Sequence, residues 1–408
     1  MSEVIEAANV KVQIENGTIT AVNPPDNPTT RQPDHLLLPG FVSAHSHAFQ
    51  RALRGRGETF PAGSGSFWSW REAMYELVTQ LDAPRFEAAV RATFEEMRDA
   101  GITSVGEFHY LHHSPAGSDY AFDELVLRAA RDAGIRITLL MTYYKTGGIG
   151  LPLAPAQKRF ETRSVDEFFD RVDALREKLD PQTQQLGVAA HSIRGVPLDH
   201  LEPLYTQARA RGMQVHMHVE EQRKEIEDCL AAYGRRPMQL LNERLPSCEG
   251  FTAVHATHTT PEDMEQFLAR GGSVCITPLT EANLGDGIPD VAPLHAHPDR
   301  LSLGTDSNAR ISLIDEMRWL EYAQRLKSET RGVFRDEEGR NAPRLLHFAT
   351  IGGARSLGIN AGRIEVGAAA DFVAVDAESL ESLLFGRGDD AIVATCVAGV
   401  WKARPARR

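Results

Sequence analysis

The stretch LLLPGFVSAHSH, residues 36–47, decides the fold. Residues 36–44 form a short apolar run, the pattern of a strand buried on both faces. The run ends on His45 and His47. In a strand, residues two apart point the same way, so both imidazoles can reach one metal ion. An HxH alone also occurs as a pair of polar loop histidines, so its meaning depends on the rest of the chain.

Downstream, apolar runs alternate with helical patterns. RFEAAVRATFEEMRDA (85–100) has helical periodicity and stops at Gly101, and ITSVGEF (102–108) reads as a strand. Residues 122–133 read as a helix, 135–144 as a strand, and 165–179 as a helix opened by Ser164 as N-cap. Five more strands follow at 186–192, 214–219, 251–257, 273–277 and 301–306. With the first, that makes eight β/α units with buried strands, which predicts a (β/α)8 TIM barrel.

Upstream, KVQIENGTITAV alternates around Asn16-Gly17, a hairpin signal, and a polar, proline-rich stretch (23–34) follows. After a helical stretch at 343–357, the tail becomes β-like again in RIEV, ADFVAV, AIVATCVAG and VWKA. The two ends are therefore expected to build one small β-sandwich domain, residues 1–38 plus 360–408, beside a barrel of 39–359.

Composition narrows the class. The chain has 408 residues, enough for a sizeable core, and a net charge of −12, which opposes nucleic-acid binding. No apolar run reaches the length of a membrane span, and the acidic N-terminus lacks a signal peptide's apolar core. Four scattered cysteines without a CxxC read as reduced thiols, so a cytoplasmic protein is expected.

Histidine and acid recur at the other strand ends: His216 and His218 in QVHMHVEE, His255 in FTAVHAT, Asp306 in LSLGTD. The C-terminal strand ends of such a barrel converge on one face. His45, His47, one of His216 or His218, His255 and Asp306 are therefore expected to meet there. These donors suit one divalent ion, Zn²⁺ first, with Fe²⁺ or Mn²⁺ accepted by the same set. Glu221, three residues past His218, is placed to shuttle a proton or to sit in a solvated acidic turn.

In this order, PGFVSAHSH, the HxxE of His218 and Glu221, VHATH and the TDS around Asp306 resemble the amidohydrolase superfamily. The resemblance implies His45, His47, His218 and Asp306 as ligands. It implies His255 as the group positioning the attacking water, and Glu221 and Asp306 as the proton carriers. The fourth strand ends AAHSIRGV, without the lysine of two-metal members, which implies a single-metal deaminase type. More narrowly, HSHAFQRALRG, FWSWREAMYE, EFHYLHH, HSIRGV, EEQRKEIEDCLAAYGRRP, TEANLGDG and DEMRWLEYAQRL resemble the N-formimino-L-glutamate deiminase family. That implies a homodimer acting in histidine degradation, with Gln50, Arg71, Tyr110, His191 and Arg194 lining the substrate pocket. The chemistry agrees, because arginine forks match the carboxylates of a dicarboxylate substrate. The alternative is the same chemistry on a purine- or pyrimidine-type heterocycle or another amidine. His109, His112 and His113 read as local hydrogen-bonding residues, and Phe67, Trp68 and Trp70 as packing anchors. The chain departs from the family at Thr305-Asp306-Ser307-Asn308, where Ser-Asp-Ser-His is expected, and in the segment before it.

Overall fold

The computed structural model describes residues 2–24, 35–56, 58, 60 and 65–405. Most of the proline-rich stretch (25–34) lies outside the described residues. Eight parallel strands form the central sheet, each beside its sequence neighbour: β5 (Phe41–Ser46), β6 (Ile102–His109), β7 (Arg136–Tyr143), β8 (Gln184–Ser192), β9 (Val215–Val219), β10 (Phe251–His255), β11 (Ser273–Ile276) and β12 (Leu301–Leu303). Every residue of β5, β6, β9, β10, β11 and β12 is buried. Their side chains face either the barrel interior or the helices outside, which is why these strands read as unbroken apolar runs.

The barrel closes between its last and first strands. The Thr305 N–H donates to His45 O at 3.0 Å, and the His47 N–H donates to Asp306 O at 2.8 Å. Gly304 makes that approach possible, since a Cβ there would lie 2.7 Å from His45 O. Helices cover the outside. Val165–Arg176 starts at Ser164, whose Oγ accepts the Glu167 N–H, with Asp166 and Glu167 favouring the positive helix end. It buries Phe168, Phe169, Val172 and Leu175, one stripe at helical spacing.

Both chain ends build antiparallel sheets. β1 (Ser2–Glu6), β2 (Lys11–Glu15) and β3 (Thr18–Asn23) form one, with the expected hairpin at Asn16-Gly17. β4 (Leu36–Pro39), β13 (Phe372–Val375), β14 (Ile392–Val397) and β15 (Val400–Ala403) form the other, in the order β15-β14-β13-β4. Val12, Ile14 and Ile19 from the first sheet share a core with Leu37, Phe372 and Cys396 from the second, which makes the pair a sandwich.

The structure corrects two readings and details a third. Residues 36–44 are not one strand. At Gly40 the chain leaves β13, where Pro39 pairs with Phe372, and joins β6, where Phe41 pairs with Ile102. RIEV (363–366) is not a strand but an irregular, bent segment between Gly362 and Gly367, both at positive φ (+75° and +89°). The helix at 343–357 is Ala342–His347 and Gly353–Leu357, joined by a wider π turn at Phe348–Gly352.

Arg136 of β7 anchors the sandwich to the barrel. Its Nε and Nη2 donate to Asp371 at 2.8 and 3.1 Å, and the Asp371 side chain is fully buried. Asp371→Ala leaves a largely buried cation unpaired. We expect it to lower unfolding stability by about 3 kcal/mol, read as a lower urea midpoint.

Candidate active site

The expected residues meet at the C-terminal mouth of the barrel. The Nε2 of His218 lies 3.2 Å from the Nε2 of His45 and 3.2 Å from that of His47. Asp306 Oδ1 lies 3.3 Å from His45 Nε2 and 3.4 Å from His47 Nε2. All four side chains are buried. Of the two candidates on β9, His218 faces this cluster, whereas His216 donates from Nε2 to Ser356 O at 2.9 Å, away from it.

These four residues fit a metal ion. His47 Nδ1 donates to Phe108 O at 2.9 Å and His218 Nδ1 to His191 O at 3.0 Å. Burial disfavours a second proton on either ring and lowers both pKa values; it lowers His45 to about 3. The facing Nε2 atoms are then bare lone pairs beside a carboxylate, an arrangement that calls for a cation. The carbonyl bonds orient the rings as outer partners of metal-bound histidines do.

The backbone here is strained. Glu220, His255, Ala256, Asp306 and Asn308 all have positive φ, five of the nine such non-glycine residues among those described. Neighbours hold the conformation. Asn308 Nδ2 shares its two protons among Ser46 Oγ and His47 O, both at 3.1 Å, and Asp306 O at 2.9 Å. The residue that departs from the family pattern therefore ties the Asp306 loop to the His45–His47 strand end. Glu107 of β6 accepts the Ala48 N–H at 2.6 Å and secures the turn after His47.

His255 and Glu221 flank the cluster. His255 Nε2 lies 3.8 Å from both Glu221 Oε1 and Asp306 Oδ2. Its Nδ1 lies 3.4 Å from Glu281 Oε1 and 3.2 Å from Thr277 Oγ1. Burial opposes a charge on His255, but Glu221, Glu281 and Asp306 outweigh it and hold the imidazole up at about 10. Burial raises the Glu221 pKa, against the pull of His255 and Arg194. Burial also works against the Asp306 carboxylate, but His45, His255 and His47 keep its pKa low. Glu221 is buried, so the solvated acidic turn does not describe it.

Gln50, Arg71, Tyr110, His191 and Arg194 all line the pocket that opens on this cluster. Gln50 Nε2 donates to Tyr110 OH at 2.7 Å. Arg71 lies over the Trp68 ring, with its guanidinium carbon 4.4 Å from the centroid. Arg194 Nη2 is 3.7 Å from Glu221 Oε2, and its Nε is 3.6 Å from Glu225 Oε2. The Nε atoms of both arginines are buried without a hydrogen-bond partner. Phe67 and Trp70 also wall the pocket. His109 and His112 bind Asp123 at 2.9 and 2.8 Å, and His113 binds Glu161 O at 2.8 Å.

Sequence reasoning missed Glu281, Thr277, Glu225, Tyr75 and Tyr144. Glu281 stood inside the quoted TEANLGDG, and Thr277 at a strand end, a position that signals function in this fold. Tyr75 and Glu225 likewise stood inside the quoted FWSWREAMYE and EEQRKEIEDCLAAYGRRP, and Tyr144 ended the strand read at 135–144.

The Amidohydrolase family profile matches residues 36–402, and the chain belongs to that family. It is a hydrolase acting on carbon–nitrogen bonds. It is 37% identical over 423 residues to formimidoylglutamate deiminase of Pseudomonas aeruginosa, covering 98% of this chain and 92% of that protein. The crystal structure of an amidohydrolase from Brucella melitensis superposes with a TM-score of 0.88 at 33% identity, covering 97% and 91% of the two chains. That of an adenosine deaminase from Xanthomonas campestris with bound zinc gives 0.79 at 26% identity, covering 97% and 88%. No helix among the described residues is long and apolar enough to cross a membrane.

Proposed function

We propose that this protein hydrolyses N-formimino-L-glutamate to N-formyl-L-glutamate and ammonia, a step of histidine degradation. The observation that carries this reading is the pair Arg71 and Arg194 in the pocket that holds the histidine cluster: the buried Arg71 Nε has no hydrogen-bond partner, and Arg194 makes only long ion-pair contacts of 3.6–3.7 Å with Glu225 and Glu221. Two guanidiniums suit a dicarboxylate, and the Pseudomonas relative supports the same substrate. His45, His47, His218 and Asp306 would hold one divalent ion, Zn²⁺ by their donor set and by the zinc-bound neighbour. When bound, the ion lowers the pKa of water to near neutrality and polarises the amidine carbon.

The chain's own residues do the rest. Asp306, ionised by its histidine neighbours, accepts a proton from the attacking water. His255, beside the carboxyl groups of Glu221, Glu281 and Asp306, orients that water and faces the charge that develops on the substrate. Gln50 and His191 supply further donors from the pocket wall. Glu221 delivers the proton to the departing nitrogen; buried beside His255, it is a carboxyl whose raised pKa suits the exchange. Four free, buried cysteines fit a reducing cytoplasm.

The test is ammonia release from N-formimino-L-glutamate by the Zn-loaded enzyme, with N-formimino-L-aspartate, adenosine and cytosine alongside. We expect rapid release from the glutamate derivative alone. Release from a heterocycle instead would keep the metal chemistry and overturn the substrate.

A further inference from the structure

Gln157 is buried in the helical turn Pro155–Phe160, behind the pocket wall. Its Oε1 accepts the Ala154 N–H at 2.8 Å. Its Nε2 donates to Tyr144 OH at 2.8 Å and to Tyr75 OH at 3.0 Å. The Ala154 bond settles which end of the amide is which, because only the oxygen can accept an N–H. Both amide protons therefore go to the tyrosines. Each phenol oxygen accepts from Gln157 and keeps its own proton to donate elsewhere. Among the described residues, neither hydroxyl has an acceptor for that proton.

Both tyrosines line the pocket, Tyr75 from the helix Phe67–Gln80 and Tyr144 from the end of β7. The arginines are their neighbours. The Arg71 guanidinium carbon lies 5.5 Å from the Tyr75 ring centroid, and both Arg71 and Arg194 act electrostatically on the Tyr144 phenol. One end of the pocket thus gathers three donors without hydrogen-bond acceptors, the two phenols and the Arg71 Nε, beside the Arg194 guanidinium, which makes only long ion-pair contacts with Glu221 and Glu225. An apolar or donor-rich ligand end would leave these donors unmatched. A carboxylate offers about four acceptor positions and matches them.

We propose that Tyr75 and Tyr144, aligned by Gln157, are specificity-determining residues that donate to the substrate carboxylate held by Arg71 and Arg194. This rests on the dicarboxylate reading of the pocket. It makes Gln157 a positioning residue, which acts by keeping both phenol protons turned toward the ligand.

The experiment titrates glutarate into the Zn-loaded wild type, Tyr75→Phe and Tyr144→Phe by calorimetry, with thermal midpoints to verify folding. Loss of one hydrogen bond to a charged group is expected to weaken glutarate binding about tenfold or more in each variant. With N-formimino-L-glutamate, KM should rise by a similar factor while kcat stays within about threefold, the signature of binding lost equally in ground and transition states. Unchanged glutarate affinity in both folded variants would overturn the proposal, and so would a wild type that binds no glutarate. Should Tyr144→Phe fail to fold, the half-buried Tyr75 decides alone. A wild type that binds glutarate through these tyrosines yet releases no ammonia from N-formimino-L-glutamate would overturn the substrate and leave the subsite standing.

Discussion

Glu221→Gln is expected to lower kcat by about 10³-fold or more while metal content stays at the wild-type level. The amide has the shape of the carboxylate but cannot carry a proton, and a positioned acid–base group contributes about 10²–10⁴-fold. Metal content should hold because Glu221 is not one of the four clustered donors. Its charged neighbours are His255 Nε2 at 3.8 Å and Arg194 Nη2 at 3.7 Å. The same substitution removes a buried carboxyl whose charge is disfavoured, so the thermal midpoint should stay level or rise. Ammonia release and metal analysis on one preparation check both halves. A near-wild-type rate would remove Glu221 from proton transfer and leave its burial beside His255 without a chemical purpose.

Chelation is expected to abolish turnover completely, and Zn²⁺ to restore it. The second effect is on stability. Without a cation, three imidazole nitrogens and a carboxylate face one another at 3.2–3.4 Å. An ion that binds only the folded chain stabilises it by about 4 kcal/mol when free metal is a thousandfold above Kd. The thermal midpoint should therefore fall on stripping and recover with added metal. Full turnover in a preparation shown to be metal-free would exclude the four-residue centre as the seat of the chemistry. Stripping should lower rate and midpoint together, whereas Glu221→Gln should lower the rate without lowering the midpoint.

The barrel was legible because its cause is local. A parallel strand covered on both faces must be apolar throughout, so ITSVGEF and LGVAAHS announce themselves without any partner. The helix from Val165 was legible for the same reason, since Ser164 and the apolar stripe behind it lie within twelve residues. The errors fell where a local pattern had two tertiary outcomes. LLLPGF is equally apolar whether one sheet takes it or two, and the division at Gly40 depends on β13 and β6, which lie far away in sequence. RIEV has a strand's residues but too little length between two bends.

The site divides in the same way. His45, His47, His255, Asp306 and a histidine of β9 were legible because the fold places any strand end at one mouth, so position along the chain was enough. The choice of His218 over His216 was not derivable from the strand itself, since residues two apart share a side; the Ser356 carbonyl that takes His216 comes from another element. Tyr75, Tyr144 and Gln157 come from a helix, a strand end and a helical turn with no common motif. Sequence alone thus determined the barrel and the metal-binding residue types, because each follows from periodicity, position or side-chain chemistry, whereas Arg71 and Arg194 entered through the resemblance to a family. Only the tertiary structure decided which lone pairs face each other, which phenol protons lack an acceptor and which carboxyl groups surround His255, because these depend on distances of 3–4 Å between elements that no local pattern relates.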